Sequence, residues 1–176
     1  MKLQRLHEYE IDEDTETAIA GLLNDCFPEY PRGRIYYKQL PDFRFLCWEK
    51  KALIAHMAVE HRMISNDGQP CRIFGIADLC VAEAFQHRRL ASRLLSELTL
   101  LGLRHRIDFL LLMAKDHSLY ESNGFQPATN TCQWLMIHEH CTLGIAHRRI
   151  ESSLMVKVLS KKEWQPGLVD FLGYVF

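Results

Sequence analysis

The spacing of hydrophobic positions along this chain changes several times, and each change marks an element. Ala18, Ile19, Leu22, Leu23 and Cys26 recur at helical spacing behind the acidic segment Glu8 to Glu16, which predicts a first helix over Thr15 to Cys26. Phe27 to Tyr37 breaks that period with two prolines, one glycine and three tyrosines, and reads as an ordered, lid-like loop. Phe43 to Trp48 and Ala52 to Ile64 read as strands, Ser65 to Pro70 supplies turn chemistry, and a third strand runs from about Cys71 to Val81. Together they form an antiparallel meander. Leu90, Leu94, Leu95, Leu98 and Leu101 make one apolar stripe of a helix ending near Gly102. Phe109 to Ala114 is a buried strand by length and apolarity, Asp116 is placed as an N-cap, and Asn123-Gly124 closes a short helix. Cys132 to His138 and Ser153 to Leu159 complete a mixed α/β sheet, with no repeat or linker.

Composition narrows the class. A chain of 176 residues, 48% hydrophobic, supports one well-buried core, so residues 1–176 are expected to form a single domain. Lys and Arg number 21 against 22 Asp and Glu, which removes the broad basic footprint of a nucleic-acid binder and makes any polyanion site a local one. Cys26, Cys47, Cys71, Cys80, Cys132 and Cys141 form no Cys-x-x-Cys pair and follow no signal peptide, which fits a reducing cytoplasm rather than a disulfide framework. No apolar run approaches the roughly 20 residues of a membrane span, so a soluble protein without a membrane partner is expected.

The candidate chemistry gathers where the third strand gives way to the leucine-striped helix. Gln86-His87-Arg88-Arg89-Leu90-Ala91-Ser92 leads into the first turn of that helix, whose unpaired N–H groups sit at the positive end of its dipole and suit a phosphate. His87, Arg88 and Arg89 add side-chain donors. Upstream, Asp78 lies inside the apolar run Ile76 to Val81, where a carboxylate is costly unless paired or solvated.

Gln86-x-x-Arg89-x-Ala91 after a hydrophobic strand, followed by Tyr120-Glu121-Ser122-Asn123-Gly124-Phe125, resembles the GCN5-related N-acetyltransferase (GNAT) superfamily. Its acyl-CoA loop usually reads Gln/Arg-x-x-Gly-x-Gly/Ala, so Arg89 stands where the first glycine is expected. The tail Trp164-Gln165-Pro166-Gly167-Leu168-Val169-Asp170-Phe171-Leu172-Gly173-Tyr174-Val175-Phe176 is similar to the ending of aminoglycoside 2'-N-acetyltransferases, whose loop also tolerates an arginine, and the central region resembles the nodulation acyltransferase NodA.

The resemblance implies an α/β GNAT fold, a mostly antiparallel sheet of six to seven strands with helices on both faces and a splayed central strand pair that receives pantetheine. It implies acetyl-CoA as co-substrate, its pyrophosphate on backbone amides from His87 to Ala91 with Gln86, Arg88, Arg89, Leu90 and Ser92 around it, and Leu79, Cys80 and Val81 along the pantetheine. Tyr120 is the expected general acid toward the departing thiolate. Asp78 either takes a proton from the ammonium substrate, directly or through water, or makes a structural hydrogen bond. Cys80 reads as a small core residue rather than a nucleophile. Cys132, His138, His140 and Cys141 converge poorly on one ion, so no metal is expected. His56 and His61 read as surface or satisfied core residues. Glu29, Tyr30, Tyr36, Tyr37, Asp170 and the terminal carboxylate of Phe176 would form an aromatic, anionic pocket for a cationic amine. The activity expected is N-acetylation of a primary amine of a small molecule, an aminosugar or aminoglycoside first, by a monomer or homodimer. The alternatives are a longer acyl donor, as in NodA, and a module that binds CoA without turnover.

Overall fold

A computed structural model describes residues 1–176, and its backbone follows the changes of hydrophobic spacing. Two units can be distinguished, Met1–Glu60 with Ala77–Leu95 and His61–Ile76 with Ser96–Phe176.

The first unit opens with β1 (Lys2–His7) and a 3-10 turn (Glu8–Glu10), followed by α1 (Glu13–Cys26). Asp12 caps that helix by accepting the Thr15 N–H at 2.8 Å, and Glu13, Asp14 and Glu16 place negative charge on its positive end. β2 (Phe43–Glu49) pairs antiparallel with β1 on one side and with β3 (Ala52–Asn66) on the other. Ile19, Leu22 and Leu23 of α1 bury against Leu46, Leu53 and Cys80, the last on β4 (Gln69–Val81). Each such side chain contributes about 1.5–3 kcal/mol by leaving water. Tyr30 and Ile35 join the same core, so the Pro-rich segment is irregular in backbone yet anchored by two side chains.

The second unit contains α2 from Ser96 onward (the helix spans Leu90–Arg104), then β5 (Phe109–Met113), α3 (Ser118–Glu121) and β6 (Gln126–Pro127). β7 (Asn130–His138), β8 (Cys141–Ile150), β9 (Leu154–Val158) and β10 (Val169–Asp170) follow. The strand order is β6-β9-β5-β4-β3-β10-β7-β8. β4 and β5 run parallel from Ile73↔Phe109 to Ile76↔Leu112, where their ladder stops although β4 continues to Val81. β10 lies antiparallel to β3 and parallel to β7. Ile64, Ile73, Phe109, Leu111, Leu154 and Phe171 are the centre of this unit's core.

The α/β class with a mixed sheet is as expected, but the sheet has ten strands rather than six or seven. α2 also runs past Gly102 to Arg104. Gly102 is buried, and a Cβ there would sit 2.5 Å from Leu159 Cδ1, so the glycine serves close packing and not helix termination. His117, not Asp116, occupies the N-cap of α3; Asp116 Oδ1 instead accepts from Ser118 N at 3.0 Å and Ser118 Oγ at 2.8 Å. No helix is long and apolar enough to cross a membrane.

The tail is fastened by two buried asparagines. Asn66 donates to Gln165 O at 3.0 Å and accepts the Gln165 N–H at 2.8 Å. Asn130 donates to Gln165 O at 2.9 Å and Gly167 O at 2.7 Å, and accepts from Trp164 Nε1 at 2.9 Å. The Trp-Gln-Pro-Gly stretch thus has a structural reason for each of its polar groups that these asparagines meet.

Candidate functional site

In the first unit, the last residues of β4 do not follow a regular strand. Asp78 adopts φ +52°, a left-handed conformation that is uncommon for a non-glycine residue and bends the strand locally. Its Oδ2 accepts the Tyr30 hydroxyl at 2.7 Å. Burial pushes the Asp78 carboxyl above its ordinary range, while the Tyr30 hydrogen bond and the Arg44 charge pull the other way. Burial and the Asp78 charge push the Tyr30 phenol up, so Tyr30 stays protonated and donates. A carboxylate with a raised proton affinity and a fixed donor on one oxygen can accept a proton on the other.

The peptide that follows is tied back to β3, Ala82 N donating to Ile54 O at 2.9 Å, and Gln86 Nε2 donates to Val81 O at 3.3 Å. After a 3-10 turn (Glu83–Phe85) come His87 at φ +61° and Arg89 at φ +59°. Two left-handed residues flank Arg88, and α2 begins directly behind them, so the turn sits at the helix end whose free N–H groups favour an anion. Arg89 O accepts the Arg93 N–H at 3.0 Å, which makes Arg89 the N-cap of α2. The left-handed φ explains why a glycine would be favoured at position 89 and why an arginine there is strained. His87, Arg88 and Arg89 are exposed, whereas Leu90 is buried and fixes the helix start. The Arg88 guanidinium lies 4.9 Å over the Phe85 ring.

Leu79 and Val81 are half-buried and Cys80 is buried. Cys26 and Cys80 share a hydrogen bond that pushes the Cys80 thiol up, and burial adds to it. Cys26 Sγ also lies 3.6 Å from Val81 O. Cys80 is therefore a protonated packing residue.

Glu8 and Arg44 are not among the site residues expected from the sequence, and His56, expected as a surface or satisfied core residue, is the latter. Arg44 and His56 are both fully buried, and Glu8 grips the Arg44 guanidinium with both carboxylate oxygens, 2.7 Å to Nε and 2.9 Å to Nη2. Arg44 Nη1 stands 3.0 Å from His56 Nε2, and His56 Nδ1 2.9 Å from Asp78 O. Burial and the Arg44 charge push His56 down to about 3. The signal was present: Arg44 between Phe43 and Phe45 is as costly in an apolar strand as Asp78.

Of the residues expected around an acceptor, Tyr30 is 7% exposed and committed to Asp78. Glu29 and Tyr37 are exposed, and Tyr36 is half-buried with the Arg34 guanidinium 6.0 Å from its ring. Ala91 and Ser92 are half-buried in the first turn of α2.

In the second unit, Tyr120 on α3 packs edge-on against Phe125 at 5.9 Å. Burial and then the Asp116 charge push its phenol up. Its carbonyl accepts from Asn123 N and Phe125 N, and Lys157 Nζ holds Asn123 O at 2.8 Å, so the short helix is clamped at its end. Asp170 is engaged by Gln133 Nε2 on one oxygen and Leu172 N on the other, both at 2.9 Å. The Phe176 ring packs on Phe171 and over Gly75, where any Cβ would overlap it. His138, His140 and Cys141 are exposed around the β7–β8 turn while Cys132 is buried on β7, and no group of three or more His, Cys, Asp or Glu residues is placed to hold an ion.

Residues 41–127, which include Asp78, the 86–92 loop and Tyr120, match the family model described as acetyltransferase (GNAT) domain. Among solved structures, Escherichia coli ElaA is similar at 21% identity and TM-score 0.63, over 89% of this chain and 99% of its own. The Escherichia coli GNAT family N-acetyltransferase YhbS, solved in complex with CoA, is similar at 18% identity and TM-score 0.64, over 96% of this chain and 89% of its own. The Escherichia coli ribosomal-protein-S18-alanine N-acetyltransferase is similar at 15% identity and TM-score 0.59, over 92% and 97%. A comparison with curated proteins finds no match. The strand order, the interrupted β4–β5 ladder and these likenesses agree on one architecture, the α/β GNAT fold.

Proposed function

We propose that this protein is an acyl-CoA-dependent N-acetyltransferase. The observation that carries the reading is the pair of left-handed residues, His87 and Arg89, that opens α2 behind β4. Backbone amides there, with the exposed Arg88 and Arg89 side chains, hold the pyrophosphate of acetyl-CoA, and Leu79, Cys80 and Val81 lie along the pantetheine. The CoA bound in the similar YhbS supports a donor built on CoA.

Transfer is direct. Asp78 takes one proton from the ammonium group of the acceptor, the free amine attacks the thioester carbonyl and a C–N bond forms; as the C–S bond breaks, Tyr120 gives its proton to the thiolate and is reprotonated by the second proton that the nitrogen loses, through water, while the proton on Asp78 passes to solvent. Proximity does most of the work, and acid–base help of this kind contributes about 10²–10⁴-fold. Tyr30, by donating to one Asp78 oxygen, leaves the other to face the acceptor. The acceptor is a primary amine of a small cationic molecule, an aminosugar or aminoglycoside by the likeness of the tail.

Calorimetry with acetyl-CoA, followed by thiol release over a panel of aminosugars, polyamines and peptides with free N-termini, tests the reading. Binding plus release with one class supports it. Absence of binding by folded protein refutes it, binding without release replaces it with a CoA-binding module, and preference for long-chain acyl-CoA changes the donor.

A further inference from the structure

We infer that Glu8, Arg44 and His56 form a buried positioning chain that holds the left-handed bend at Asp78 in the geometry the acyl transfer uses. The inference rests on the transferase reading of the same strand.

A guanidinium has only donors and keeps its charge under all ordinary conditions. Arg44 Nη1 therefore donates to His56 Nε2 at 3.0 Å, so that nitrogen carries the lone pair. His56 is then neutral with its proton on Nδ1, which donates to Asp78 O at 2.9 Å. Glu8 accepts from the other two nitrogens of Arg44, Nε and Nη2. The chain has one direction, from carboxylate through guanidinium and imidazole to a single main-chain carbonyl.

Stability alone does not account for this arrangement. Arg44 and His56 are 0% exposed, and well-packed apolar side chains in place of a buried charged network are often as stable or more so. What an apolar pair would not do is hold one carbonyl in one direction. That carbonyl belongs to a residue at φ +52°, a conformation that persists only where its surroundings over-determine it. The held peptide also carries the Leu79 N–H, and the held residue aims its carboxylate at Tyr30. None of the three residues is placed against substrate; they act through Asp78.

The test has two parts. Long-range ¹⁵N–¹H spectra of the histidine rings in wild-type protein should show His56 neutral with its proton on Nδ1; a ring protonated on Nε2, or on both nitrogens, overturns the chain. His56→Phe keeps a flat aromatic ring, somewhat larger, and removes both hydrogen bonds, and should lower kcat about a hundredfold with acetyl-CoA affinity little changed. His56→Asn restores a donor near the Nδ1 position and should recover most of that loss. Unchanged kcat in His56→Phe, or no recovery in His56→Asn, overturns the proposal. If His56→Phe does not fold, a hundredfold loss in folded His56→Asn overturns it as well. Folded wild-type protein that neither binds acetyl-CoA nor releases thiol would sink the transferase reading instead, while the ring tautomer still decides for or against the chain.

Discussion

Tyr30→Phe isolates the hydroxyl that donates to Asp78 at 2.7 Å without changing the ring that packs in the first unit's core. A hydrogen bond to a charged group contributes about 1.5–3 kcal/mol, and one between neutral groups about 0.5–1.5 kcal/mol. The substitution should therefore cost about 2 kcal/mol where Asp78 is ionised and about 1 kcal/mol where it is protonated. For a chain of this size the larger loss lowers Tm by roughly 4–8 °C. That difference moves the Asp78 titration upward, because the bond that favours the carboxylate is gone. The sign for stability follows from burial, which already raises the folded titration above the unfolded one. Between those two values the folded state binds more protons, so stability falls as pH rises through the window. Removing Tyr30's hydroxyl extends the window upward and deepens the fall. Urea denaturation of both proteins across a pH series measures it, and the acidic limb of kcat/KM should move up by the same amount if Asp78 is the base. A cost that does not vary with pH, or that is larger in acid, would refute the account of the pair.

Arg89→Gly relieves a left-handed arginine, worth about 1–2 kcal/mol, against about 0.5–1 kcal/mol of glycine entropy. A net rise in Tm of roughly 1–3 °C is expected, with weaker acetyl-CoA binding by calorimetry; a fall in Tm would contradict the strain assigned there. Asn130→Ala removes three buried hydrogen bonds to the tail and should cost about 3 kcal/mol. Amide exchange should quicken across residues 164–170, and unchanged exchange would show that the tail is held by something else. Tyr120→Phe should lower kcat by about 10²-fold while leaving acetyl-CoA affinity intact, and an unchanged kcat rejects Tyr120 as the acid.

Elements whose two faces differ in environment could be read from the sequence. The leucine stripe of α2 is legible because Leu90, Leu94, Leu95 and Leu98 are all buried while Arg93 and Ser96 are exposed. β8 gave no such contrast, since Leu143 and Ile145 are 62% and 67% exposed beside His147 and Arg149. β1 is similarly mixed, and β6 and β10 have two residues each, too few to carry a period. The same logic governs the site. Asp78 stood out as a charge in an apolar run, and the anion-binding turn stood out by its place between strand and helix. The partners Tyr30, Arg44 and His56 come from segments 48, 34 and 22 positions upstream of Asp78, and residue spacing carries no information about such meetings.

β10 is only Val169–Asp170, yet in the strand order it stands between β3 and the β7–β8 hairpin. The hairpin is built from sequence neighbours, and its ladder closes without the rest of the chain. Its berth beside β3, however, is completed by residues made about twenty positions later. A two-residue wedge therefore couples a locally built ribbon to a distant strand, so that loosening Val169–Asp170 would leave the ribbon's own pairing intact while detaching it from β3.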